Sequence, residues 1–205
     1  SGLLTLLPDL QADLAYAVEG YTNTYGNIWR WDILPTNTEV EAVYGTLNAL
    51  IGKCNFLLER IAVLEQEVDD EDYEKLQQFK GEALLARALS YSDLIKMYCK
   101  AYDPATAADE LGVVLVSSYS NAGTLKRASL KDSYQFVLDD LAQSATCLKP
   151  DENENDESYY DTPYFTIYAV NALYARVYLN MQEWDKAIEY ASKVIDSRKF
   201  KLSST

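Results

Sequence analysis

The residues best equipped for chemistry lie between Tyr21 and Asn37, in the stretch YTNTYGNIWRWDILPTN. Tyr25, Trp29 and Trp31 offer aromatic faces for the C–H surface of a sugar ring, and Asn27, Arg30, Asp32 and Asn37 offer hydrogen bonds to hydroxyls. That set suits binding by stacking. The alternative is that both tryptophans anchor the segment on the core. At most one of Trp29 and Trp31 need face outward, because alternate residues of an extended segment point opposite ways.

Catalysis finds little support. The chain has no histidine, which removes the commonest general base and the commonest metal ligand. Carboxylate-based or cysteine-based sets remain, without a histidine partner. No GxSxG, phosphate loop or metal-ligand spacing occurs, and no sequence sign marks the paired carboxylates of a glycosidase. The run Asp151 to Glu157 alternates Asp, Asn and Glu like a calcium loop, yet lacks the required glycine and the twelfth-position Glu. No metal and no cofactor is expected.

The elements that must position this stretch are helices. Hydrophobic residues make up 48% of 205 residues, with only 8 Gly and 5 Pro, which fits a globular, helix-rich chain. A net charge of −14 repels nucleic-acid backbones and anionic membrane surfaces. Cys54, Cys99 and Cys147 are far apart and read as free thiols rather than a zinc or redox motif. No apolar run approaches the ~20 residues that a membrane-spanning helix needs. Seventeen tyrosines suit sugar stacking and interfaces, and equally suit the cores of helical repeats.

Leu3, Leu6, Leu7, Leu10, Leu14 and Val18 have helical spacing, with a regular helix starting at Pro8 and a stop at Gly20. Thr38, with Glu41 three on, caps a helix reaching about Val68. The acidic run Asp69 to Asp72 opens the next, which reaches about Cys99. Residues 100–128 are irregular, with an apolar strip Val113 to Val116. Ser129, with Asp132 three on, caps a helix to about Leu148. After the acidic loop 149–162 come helices over Pro163–Asn180 and Trp184–Ser197. Tyr160, Tyr164 and Tyr168 would form a stripe if the first of these begins early enough, for core packing or for a partner. No convincing sheet is expected.

The last helix pair aligns to a tetratricopeptide repeat. Ala175 is the small residue of the first helix, Tyr178 the large one, and Ala187 the small residue of the second, with Ala191 and Val194 along the same face. A second pair joins residues 72–99 to 129–148, and a third pairs residues 40–67 with the first of these. The fold class expected is all-α, built of tetratricopeptide-like helical repeat hairpins with long irregular loops, in one domain over residues 1–205. Arg87, on an alanine-rich helix with Glu82, reads as a buried ion pair or a carbonyl-binding arginine.

Three stretches together resemble the SusD/RagB family. Lys80 to Leu94 (KGEALLARALSYSDL) is similar to the family's GEA-x-x-x-RA-x-x-Y-x-x-L helix. Lys126 to Leu141 is similar to R-x-S-x-x-E-x-Y-x-x-I-x-x-DL, and Ala172 to Leu179 with Trp184 and Ala187 supplies the third. Gly112 to Leu115 sits where the family has a GLPL-like strip. The resemblance spans roughly residues 40 to 202 and matches the family's N-terminal half, its C-terminal half having no counterpart in the chain. It implies a surface-exposed outer-membrane lipoprotein of the Bacteroidetes type, anchored by a lipid-bearing cysteine outside this chain. Such a protein caps a TonB-dependent, SusC-like transporter and delivers glycans or other nutrients to it. The family's repeat half packs on the transporter, and loops between its first long helices often touch ligand. A tetratricopeptide scaffold binding only a protein or peptide is the alternative.

Overall fold

A computed structural model describes residues 2–18, 20, 25–119, 125–148 and 164–200. In chain order the elements are α1 (Gly2–Gln11), α2 (Gly26–Trp29), α3 (Thr38–Leu64), α4 (Asp70–Tyr98), β1 (Leu111–Val114), β2 (Arg127–Ser129), α5 (Leu130–Cys147), α6 (Ile167–Asn180) and α7 (Trp184–Ile195). The fold is all-α, as the sequence indicates. One small exception is an antiparallel β1–β2 pair with Leu111 opposite Ser129 and Val114 opposite Arg127. The chain falls into two compact units, residues 1–49 and 50–205, and α3 runs through the boundary.

In the first unit, Leu7 and Leu10 of α1, Ile28 of α2, and Val43 and Leu47 of α3 are buried. Two expectations need correction. α1 does not start at Pro8 but contains it. It also stops well before Gly20. Asp13 takes a left-handed conformation (φ 56°), and the Leu14 N–H turns back to the Asp9 carbonyl at 2.9 Å. Leu14 and Val18, counted on the apolar face, therefore lie beyond the helix and are exposed. At α3 the cap lies one residue earlier than expected. The Glu41 N–H reaches the Asn37 carbonyl at 3.0 Å, so Asn37 holds the N-cap position and Thr38 begins the first turn.

In the second unit, α4 and α5 pack as one hairpin and α6 and α7 as another. Asp69 and Ser129 cap α4 and α5, each accepting from the backbone N–H three residues on, at 3.0 Å. α3 joins α4 through side chains: Glu65 accepts from Gln77 and, at 2.9 Å, from Lys80. The small-residue argument holds where α4 meets the end of α5. A Cβ on Gly81 would sit 2.6 Å from Leu148 Cγ and 2.9 Å from Cys147 Cβ. Ser144 Oγ closes the contact by donating to the Gly81 carbonyl at 2.8 Å. In the last hairpin Ala187 is buried, and Tyr178 stacks on Tyr190 with centroids 5.6 Å apart. α6 begins at Ile167, later than expected, so Tyr164 precedes the helix; Tyr160 and Pro163 lie outside the described residues.

Glycines in these helices differ in role. Gly52, inside α3, has nothing within 4 Å of where a Cβ would project. Gly52→Ala should therefore raise stability by about 0.5–1 kcal/mol through reduced backbone entropy of the unfolded chain. Gly81→Ala should lower it by about 1–3 kcal/mol through overpacking. Urea unfolding of the two variants checks this, and effects of the same sign would refute the close-approach account.

Candidate functional site

The motif residues in the second unit are bound to one another. Arg87 on α4 grips Asp140 on α5 with two bonds, Nε to Oδ2 at 2.8 Å and Nη2 to Oδ1 at 2.7 Å. Its Nη1 donates to Asn55 Oδ1 on α3 at 2.7 Å. Asn55 Nδ2 donates onward to the Val116 carbonyl at 2.8 Å, and the Tyr91 hydroxyl accepts from the Val116 N–H at 2.8 Å. Arg87 also lies over the Phe136 ring, 5.3 Å from its centroid. Glu82 is not its partner: that carboxylate accepts from Gln78. Arg127 clamps β1 by donating to the Gly112 and Leu111 carbonyls, and Arg176 on α6 pairs with Asp93 on α4 at 3.1 Å.

Electrostatics agree with a scaffold role. Burial pushes the Asp140 carboxyl upward, against the hydrogen bonds and charge of Arg87. Burial also raises the Cys54 thiol, which keeps it protonated and inert. The Tyr134 phenol is pushed up to about 12 by burial, and that of Tyr174 is raised as well. The three cysteines are free thiols. Among the described residues no cluster of three Cys, Asp or Glu side chains could hold a metal, and the run Asp151 to Glu157 lies outside those residues.

The stretch from Tyr25 to Asn37 lies wholly in the first unit and is not extended. Residues 26–29 form the single helical turn of α2, which ends in a hydrogen-bonded reversal. The Trp31 N–H donates to the Ile28 carbonyl at 3.1 Å, and the Asp32 N–H to the Asn27 carbonyl at 2.9 Å. This pair of bonds is the Schellman closure, whose left-handed position normally takes glycine. Here it holds Trp31, at φ 60°. Tyr25, at the other end of α2, is left-handed too, at φ 63°. Trp31 is 66% exposed, whereas Trp29 is half-buried and Ile28 buried.

The polar residues of the stretch divide. Arg30 Nη2 donates to Asn27 Oδ1 at 3.0 Å, which holds both side chains on the exposed side of the turn. Asn37 Oδ1 is taken by the Leu34 N–H at 2.6 Å, so it braces the loop. Asp32 is exposed. Trp31, Asn27, Arg30 and Asp32 are thus exposed, whereas Trp29, Tyr25 and Asn37 are half-buried.

The structure gathers a second aromatic region, of which the sequence singled out only Tyr164 and Tyr168, as part of a helical stripe. Tyr164, Phe165, Tyr168 and Phe200 line a cleft of about 330 Å³, and Tyr164 with Lys75, Gln78 and Phe79 lines another of about 440 Å³. Phe79, which belongs by spacing to the apolar series of α4, is exposed. Phe165 and Phe200 carried no periodic signal because both lie outside helices.

The family model described as "Starch-binding associating with outer membrane", SusD-like, matches residues 7–179. Solved structures share the fold. A SusD superfamily protein from Bacteroides thetaiotaomicron is 24% identical with a TM-score of 0.76, over 91% of this chain and 39% of its own. A putative sugar binding protein from Bacteroides vulgatus is 25% identical with a TM-score of 0.70, over 85% of this chain and 36% of its own. A SusD-like carbohydrate binding protein from Bacteroides vulgatus is 15% identical with a TM-score of 0.75, over 97% of this chain and 40% of its own. The chain spans about two fifths of the length of these relatives. No curated protein matches it by sequence. No helix among the described residues is long and apolar enough to cross a membrane. The match over most of the chain, together with the wiring of the three motif stretches into one core, makes this protein a member of the SusD-like family, a family of outer-membrane-associated binding proteins rather than enzymes.

Proposed function

We propose that this chain is the N-terminal, glycan-binding portion of a surface lipoprotein that docks on a TonB-dependent transporter and feeds it nutrient. The family description and the sugar-binding relatives support the ligand class. Within the chain, the observation that carries the reading is Trp31. A bulky residue in the left-handed region is disfavoured by roughly 1–2 kcal/mol relative to glycine, and an indole that is 66% exposed gains little burial in return. Strain kept at an exposed aromatic is what a stacking platform looks like. Asn27, Arg30 and Asp32, exposed beside it in the same turn, supply hydrogen-bonding groups, and the hydrogen-bonded closure of α2 on the Ile28 and Asn27 carbonyls holds its backbone.

The test separates binding from stability. On the full-length protein, Trp31→Ala should weaken binding of the best oligosaccharide in a glycan panel by about 10-fold or more by calorimetry, the scale of one lost aromatic stacking contact. Trp31→Gly should lose the same affinity and gain roughly 1 kcal/mol of stability, because glycine suits the left-handed position. Unchanged affinity in both variants, or no ligand across broad polysaccharides, would sink the proposal and favour a protein-binding scaffold.

A further inference from the structure

We draw no further inference here: the strongest candidate, the pair of aromatic clefts that meet at Tyr164 between α4 and the entry to α6, lies open in a chain that spans about two fifths of its relatives' length, and nothing in the structure shows what covers it.

Discussion

Asp140→Ala should destabilise the protein by about 3–5 kcal/mol, the largest loss expected of any single substitution considered. Asp140 and Arg87 are 2% and 7% exposed, so removing the carboxylate strands a guanidinium that water cannot reach. Its Nε and Nη2 lose their acceptors together. The damage propagates, because the same arginine fixes Asn55, and Asn55 fixes the Val116 carbonyl. For a chain of this size the loss corresponds to a fall in melting temperature of roughly 10 °C or more.

The double variant Arg87→Met/Asp140→Leu should recover most of that loss. It removes both charges, and the upward push of burial on Asp140 shows that the site does not favour the ionised carboxyl. Only the Asn55 Oδ1 then loses its donor, at a cost of about 1–3 kcal/mol. Chemical denaturation of both variants checks the pair. A loss under 1 kcal/mol for Asp140→Ala would mean that the network is not what ties α3, α4 and α5 together.

The same network explains how much of the fold was legible. Arg87, Tyr91, Arg127 and Asp140 sit in two of the three stretches, up to 53 positions apart, and the resemblance rested on the order of those stretches. Arg87, Tyr91 and Asp140 meet in one buried hydrogen-bond system through Asn55 and Val116, while Arg127 holds β1 separately. The cap residue Ser129 was legible because a side chain that satisfies the first turn leaves a local signature, whereas Asp69 was legible only as part of an acidic run at a helix start. The β1–β2 pair was not: four residues against three is too short for a strand period, and its pairing is held by Arg127, a side chain of β2 itself. Trp31 was legible by type but not by conformation. Nothing in WRWD announces a Schellman closure, because the usual signal is the glycine that is missing here. The clefts around Tyr164 depend on where residues from α4, the start of α6 and the end of the described chain converge, which no local pattern encodes.

Gly112→Ala should cost about 3 kcal/mol, more than Gly81→Ala, because its obstacle is backbone. A Cβ there would lie 2.5 Å from the Ser129 carbonyl oxygen and 2.9 Å from its carbon, and would run into Ser133 Oγ. None of these atoms can yield cheaply. Ser129 caps α5 through its side chain, and its carbonyl accepts from Ser133 Oγ at 2.8 Å. That same hydroxyl oxygen accepts from the Val113 N–H at 3.0 Å. Relief therefore means lifting β1 away from α5, which breaks the Val113 bond and pulls the Gly112 and Leu111 carbonyls from Arg127. Ser133→Ala separates the two contributions. Alone it should cost about 1–2 kcal/mol, for an unsatisfied Val113 N–H. Combined with Gly112→Ala it should restore little, because the Ser129 carbonyl still blocks the Cβ. Hydrogen exchange at Val113 and Val116 reads the displacement directly: protection should fall at both in Gly112→Ala and only at Val113 in Ser133→Ala. Full rescue of Gly112→Ala by Ser133→Ala would show that the hydroxyl, not the helix cap beneath it, sets the close approach of β1.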